Sequence, residues 1–262
     1  MWNDFAGRAV LVTGGTRGIG LAAGLAFGRR GAHVTLTHKW GSADPGVIRA
    51  DFSAAGAPVP DIVEADASHE PDVRRVLDRI REGHESLEVL VSNVAFAALV
   101  RSTEDYVRRS LTTSLDYTAW PVVSHTLGAQ AVFGQAPRYV VAVSTEGIDS
   151  FCVNYDFVAA SKALLETLCR YLHHRLRDTG TIVNVVRTRF VSTEALAATL
   201  GEEFEPFARR FQPDVFTSAG DVGESIFGVC SGLMDGLGGQ VISVDGGAAL
   251  LDNFSRIYQR RM

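Results

Sequence analysis

Residues 8–20 read RAVLVTGGTRGIG, a short apolar run that breaks into glycines at 14, 15, 18 and 20 and opens directly into a helical pattern around 19–30. The run lacks polar alternation, so it reads as a strand buried on both faces, the environment of a parallel sheet covered by helices. Similar runs rich in Val, Ile and Leu recur at 33–37, 61–65, 89–92, 139–144, 181–186 and 241–244. Amphipathic stretches around 47–55, 70–82, 103–133, 156–177 and 221–232 separate them, giving each parallel neighbour its crossover. The expectation is an α/β doubly wound parallel sheet of about seven strands. No internal repeat or Pro/Gly/Ser-rich linker interrupts the pattern, so residues 1–262 are expected to form a single domain.

Composition narrows the function classes. With 46% hydrophobic residues, 21% charged residues and a formal net charge of -5, the chain offers no basic surface for nucleic acid or an anionic membrane. Cys152, Cys169 and Cys230 are odd in number and widely spaced, which fits a reduced, cytoplasmic protein. The N-terminal segment has no charged-then-apolar leader pattern, and no long apolar stretch suggests a membrane span. His33, His38, His69, His84, His125, His173 and His174 show no metal-ligand spacing, and no metal is expected. Neither a GxSxG elbow nor a GxxxxGK[ST] loop occurs, which argues against hydrolase or kinase chemistry.

The glycine loop, Thr13 to Gly20, lies where an α/β sheet receives a dinucleotide pyrophosphate, because backbone amides approach phosphate oxygens most closely where no Cβ intervenes. Gly14, Thr16, Arg17, Gly18, Ile19 and Gly20 are therefore the first cofactor candidates; an ordinary tight turn is the alternative. The second strand ends in Thr37-His38-Lys39 without the carboxylate that would hold a ribose 2′-hydroxyl, and the next acid is Asp44. His38, Arg17 and Lys39 would border a 2′-phosphate, which favours NADPH over NADH unless these cations are simply solvated.

Together these motifs resemble the short-chain dehydrogenase/reductase superfamily, whose fold is Rossmann-type. Asp66, followed by Ala67, stands where that family contacts adenine. Ser92-Asn93-Val94-Ala95 stands where it carries Asn-Asn-Ala-Gly, and Gly239-Gln240-Val241 with Val244-Asp245-Gly246-Gly247 looks like its final strand. Tyr155 precedes Lys162 by seven residues, almost two helical turns, placing both on one face about 10.5 Å apart along the axis. The four-residue position is Val158, so the usual tyrosine-lysine pair of the carbonyl reductases is missing. The longer spacing resembles the NADPH-dependent enoyl-acyl-carrier-protein reductases, as do Lys162-Ala163-Leu164-Leu165-Glu166, Arg170-Tyr171-Leu172 and the run from Asn184 to Leu196.

That resemblance implies that Tyr155 stabilises an enolate, that Lys162 holds the nicotinamide ribose, and that Thr145 supplies a hydroxyl where relatives carry serine or tyrosine. By position it also implies cofactor contacts from Asn93, Val94, Ala95, Val191 and Thr193, and a homotetramer built on the helices around 103–133 and 156–177. Thr113 replaces a relay asparagine, and Thr188-Arg189 replaces Pro-Gly after the sixth strand. Ser144 and Thr145 are expected to face one crevice.

Residues 188–217 are expected to form a substrate lid. With Phe96, the apolar Phe190, Leu196, Phe204 and Phe207 would line an acyl pocket; the last two would otherwise form the inner face of a short helix. Arg187, Arg189, Arg209 and Arg210 would meet an acyl carrier protein at the pocket mouth, with solvated surface as the alternative. The expected reaction is NADPH-dependent reduction of the carbon–carbon double bond of an enoyl thioester. The alternatives are a ketoreductase tailoring a secondary metabolite and a catalytically silent NADPH-binding regulator.

Overall fold

The computed structural model describes residues 4–39, 43–212 and 215–259. Seven parallel strands form one sheet: β1 (Ala9–Thr13), β2 (His33–His38), β3 (Asp61–Glu64), β4 (Val89–Ser92), β5 (Tyr139–Thr145), β6 (Ile182–Thr188) and β9 (Val241–Ser243), in the order β3-β2-β1-β4-β5-β6-β9. Each lies within about two residues of its sequence expectation, because runs of Val, Ile and Leu this short fit only strands covered on both faces. Val10 and Val12 enter a core with Phe5, Phe27, Phe52 and Ile226 on one side. Leu11 enters a second core with Leu77, Leu90, Val140 and Leu165 on the other. The order reverses between β1 and β4, which opens a crevice at their C-terminal ends.

The helices are α1 (Gly18–Gly28), α2 (Pro45–Ala54), α3 (Glu70–Arg81), α4 (Arg108–Thr118), α5 (Trp120–Phe133), α6 (Asp156–Leu176), α7 (Glu194–Leu200), α8 (Phe204–Phe211), α9 (Ala219–Val229) and α10 (Asn253–Gln259). The amphipathic stretch 103–133 is not continuous. Pro121, in the first turn of α5, removes an amide donor and clashes with the preceding turn, so the chain breaks at Ala119. Residues 188–217 are more ordered than a plain loop: β7 (Phe190–Val191) pairs with β8 (Phe216–Thr217), with α7 and α8 between them. Among the described residues no helix is long and apolar enough to cross a membrane.

Candidate active site

The crevice is built first by glycine. Gly14 and Gly18 have φ of 61° and 54°, and a Cβ on Gly20 would fall 2.3 Å from the Gly14 carbonyl oxygen and 2.7 Å from Asn93 Nδ2. Asn93 Nδ2 donates to the carbonyls of Thr13 (3.2 Å) and Gly14 (2.9 Å), while the amides of Asn93 and Val94 donate to Thr13 Oγ1 at 3.0 and 3.3 Å. These bonds hold the Asn93-Val94-Ala95 segment against the loop. Thr16 is buried, Ile19 packs against the core, and Arg17 at the N-cap of α1 provides no side-chain cap to the first-turn amides. A cradle that a Cβ would fill, at the start of an eleven-residue helix, fits a dinucleotide pyrophosphate. Thr193 caps α7, and its Cγ2 would stand 3.3 Å from a Cβ on Gly18, so the lid segment rests directly on this loop. Val191 is buried in β7 beneath it.

At the adenine end the two expected phosphate cations already have carboxylate partners. Arg17 Nη1 lies 3.2 Å from Glu194 on α7, both side chains being more than half exposed. Lys39 bonds Asp66 and donates to the Tyr117 hydroxyl at 2.5 Å, and that hydroxyl donates to Asp66 Oδ2 at 3.1 Å. Burial pushes the Asp66 carboxyl up, but Lys39 and the Ser68 hydroxyl and amide outweigh it and bring it down to about 2. Lys39 is raised: burial opposes this, and Asp66 and Tyr117 prevail. Thus no acid follows β2, as the sequence indicates, yet Asp66 and Glu194 arrive from other elements. His38 closes β2 with its carbonyl accepting from the Ala65 amide at 2.8 Å, and Ala67 is buried beside Asp66. Tyr117 escaped the sequence reading; the available signal was its position one turn after Thr113 on one face of α4.

Glu194 holds Arg17 only as an exposed pair, so Glu194→Gln is expected to tighten NADPH about two- to fivefold and leave NADH unchanged. Equal effects on both dissociation constants would remove Arg17 from the 2′-phosphate.

The reactive end lies at α6. Tyr155 occupies its N-cap, preceded by Asn154 in the left-handed region at φ 63°, a conformation asparagine tolerates better than most residues. Lys162 is 6% exposed and its Nζ donates to the Val143 carbonyl of β5 at 2.6 Å. Burial lowers its ammonium to about 8, although Cys169 and Glu166 pull the other way. Val158 is buried in the turn between. The Tyr155 phenol is raised by burial, opposed by the Thr145 side chain, and so stays protonated at neutral pH. Thr145 ends β5, and its hydroxyl accepts from the Gly147 amide at 3.1 Å. The Tyr155 ring packs on Gly147, where an added Cβ would lie 3.0 Å from Cε1. Beside it is a cavity of about 300 Å³ lined by Gly147, Ile148, Phe151, Cys152, Tyr155 and Ala159, among others.

Several expectations need correction. Ser144 does not share the crevice with Thr145: it donates to Glu166 on α6 at 2.7 Å, because successive residues of a strand face opposite sides. Leu196 is half-buried on α7, and none of Phe96, Phe190, Leu196, Phe204 and Phe207 lines the cavity beside Tyr155. Phe96 lies 5.9 Å from the Tyr117 ring. Phe190, Phe204 and Phe216 pack on one another at 5.1, 5.7 and 6.4 Å, while Phe207 is 58% exposed against Phe211. Of the arginines, Arg187 is enclosed by carboxylates, Arg189 donates to the Ala248 carbonyl at 3.0 Å, and Arg209 pairs with Glu205.

The model of a family described as enoyl-(acyl carrier protein) reductase matches residues 14–249. The 3-oxoacyl-[acyl-carrier-protein] reductase MabA of Mycobacterium avium is 30% identical over 252 residues, 94% of this chain and 91% of that protein. The NADH-dependent enoyl-[acyl-carrier-protein] reductase FabI of Aquifex aeolicus is 23% identical over 263 residues, 95% of this chain and 94% of its own. Among solved structures, a short-chain dehydrogenase from Burkholderia cenocepacia in complex with NADP superposes with a TM-score of 0.82 at 24% identity, covering 94% of this chain and 99% of that one.

Proposed function

This chain belongs to the short-chain dehydrogenase/reductase family, in the branch whose model is described as enoyl-(acyl carrier protein) reductase, and we propose that it is an NADPH-dependent reductase of the double bond of an enoyl thioester. The observation that carries this reading is the pairing on α6: Tyr155 seven residues from Lys162, with buried Val158 in the position from which a phenol would otherwise work beside the lysine. Carbonyl reduction delivers a proton to the same oxygen on which charge accumulates. In an enoyl thioester the charge builds on the thioester oxygen while the last proton goes to the α-carbon, so a hydrogen-bond donor to that oxygen is the chief requirement.

When bound, NADPH supplies the hydride that is taken up at the β-carbon. Tyr155, kept neutral by burial, donates to the developing enolate oxygen, and one such donor in a dry site contributes about 2.7–4 kcal/mol to transition-state stabilisation. Thr145 sits against the phenol, and Gly147 lets the ring lie flush on the turn. Lys162 holds the nicotinamide ribose hydroxyls, and its charge favours the nearby anion. Asn93 fixes the glycine cradle, while Lys39 and Arg17, which pair with Asp66 and Glu194, would hold the 2′-phosphate.

The substrate is a small-molecule acyl thioester, free or on an acyl carrier protein. Exposed Trp120, Leu127, Leu164 and Tyr171 on α5 and α6 supply the apolar face of a homo-oligomer. A second reading, carbonyl reduction, is favoured by the 30% identity to a 3-oxoacyl reductase; there Tyr155, or a water held by Thr145, would give the proton. Product analysis separates the two. Incubation with NADPH and a trans-2-enoyl thioester is expected to yield the saturated acyl thioester, and a 3-hydroxyacyl product formed only from the 3-oxo substrate would replace the first reading with the second.

A further inference from the structure

Arg187, near the end of β6, is in register with Ser144 of β5 and points to the α6 side of the sheet. Its side chain is 12% exposed and its guanidinium is shared among three carboxylates. Nε and Nη2 donate to Glu166 Oε1 and Oε2 at 3.0 and 2.7 Å, a bidentate pairing. Nη1 donates to the Asp149 carboxylate and, at 3.5 Å, to Glu146 Oε2. Ser144 Oγ also donates to Glu166, Ser243 Oγ donates to Glu146 Oε1 at 2.5 Å, and Arg170 reaches the rim of Glu166 at 3.7 Å.

The carboxylates come from two places that matter to the chemistry. Glu166 lies one helical turn beyond Lys162. Glu146 and Asp149 belong to the short turn after β5 that carries Gly147 against the Tyr155 ring and forms one wall of the cavity. An enclosed ion cluster is a weak source of net stability, because desolvating the charges offsets most of their attraction; what it does provide is fixed geometry. The Arg187 fork is rigid, so bonding Glu166 through one edge and Asp149 through the other sets the distance between α6 and the turn.

Resting on the reductase reading above, we propose that Arg187 is a positioning residue, which fixes the 146–149 turn, and with it the cavity wall beside Tyr155, relative to Lys162. It touches neither substrate nor cofactor. Its removal therefore loosens the wall while the dinucleotide cradle, built on β1 and β4, keeps its shape.

The test uses two variants of the full chain. Arg187→Met with Glu166→Gln removes the bidentate pair together, so that Glu166 is not left as a lone buried carboxylate, and Glu146 keeps its bond from Ser243; Asp149→Asn removes the charge from the link to the turn, at a cavity-lining side chain 64% exposed. Cys152 lines the cavity at the end of this segment, whereas Cys169 and Cys230 are buried, so the rate of maleimide labelling reports on the turn without any turnover. Both variants are expected to label several-fold faster than the parent and to raise KM for the enoyl thioester about tenfold, and Asp149→Asn is expected to leave the NADPH dissociation constant unchanged. Parental labelling and parental KM in both variants would overturn the proposal and leave Arg187 a structural ion pair. If the double variant does not fold, Asp149→Asn decides by the same measures. A parent inactive on enoyl thioesters would defeat the reaction assigned above, and labelling would still decide the role of Arg187.

Discussion

Tyr155→Phe is expected to lower kcat on enoyl thioesters by about 10²–10³-fold while leaving the NADPH dissociation constant within about twofold of the parent. The substitution removes one oxygen and keeps the ring that packs on Gly147, so the helix start and the cavity wall remain in place. Only a bond made to the developing enolate is lost, and such a loss lowers kcat and kcat/KM together. The raised phenol strengthens the case, since a group that burial keeps protonated donates a hydrogen bond across the neutral range. Steady-state kinetics and cofactor titration on the same preparation check this result. Parental kcat in Tyr155→Phe would make the seven-residue spacing a packing coincidence.

Lys162→Met is expected to have two large effects of opposite sign. Cofactor affinity falls about 10- to 100-fold, because a charge-assisted hydrogen bond to the ribose contributes about 1.5–3 kcal/mol. Stability of the cofactor-free protein at pH 7, by contrast, rises by about 1–2 kcal/mol. Burial depresses the Lys162 ammonium from 10.5 to about 8, so the folded state resists a proton that the unfolded chain accepts. At pH 7 that penalty is fully present, and the parent gains stability as pH rises from about 8 to 10.5, where the unfolded state binds the extra proton. Methionine fills similar volume without the charge, and loss of the 2.6 Å bond to the Val143 carbonyl offsets only part of the gain. Denaturation at several pH values, with and without NADPH, measures both effects. A variant less stable than the parent at pH 7, or one that binds NADPH normally, contradicts this role for the lysine.

The sheet was legible because each strand is a short, doubly buried apolar run, and the glycine loop because close backbone approach admits few residues. Tyr155 and Lys162 were legible because spacing along one helix is a local quantity. What escaped depends on the neighbouring strand. The β5–β6 register sets Arg187 beside Ser144 and above Glu166, and no periodicity in residues 182–188 announces which way that arginine turns. Tyr117 and Asp66 likewise meet Lys39 from elements far apart in sequence, so a strand end without an acid still acquires one. Within 188–217 the aromatic count suggested a pocket lining, but Phe190, Phe204 and Phe216 satisfy one another and leave Phe207 outward. Apolar residues in a lid can pack on themselves as well as on a substrate.

The central claim is that the Tyr155, Val158 and Lys162 arrangement selects an activated double bond over a carbonyl. Initial rates of NADPH oxidation by the parent, with trans-2-enoyl and 3-oxoacyl thioesters of equal chain length, test it most directly. The arrangement predicts a kcat/KM at least about tenfold higher for the enoyl substrate, equivalent to about 1.4 kcal/mol of preferential transition-state binding. A kcat/KM that favours the 3-oxo substrate would contradict it.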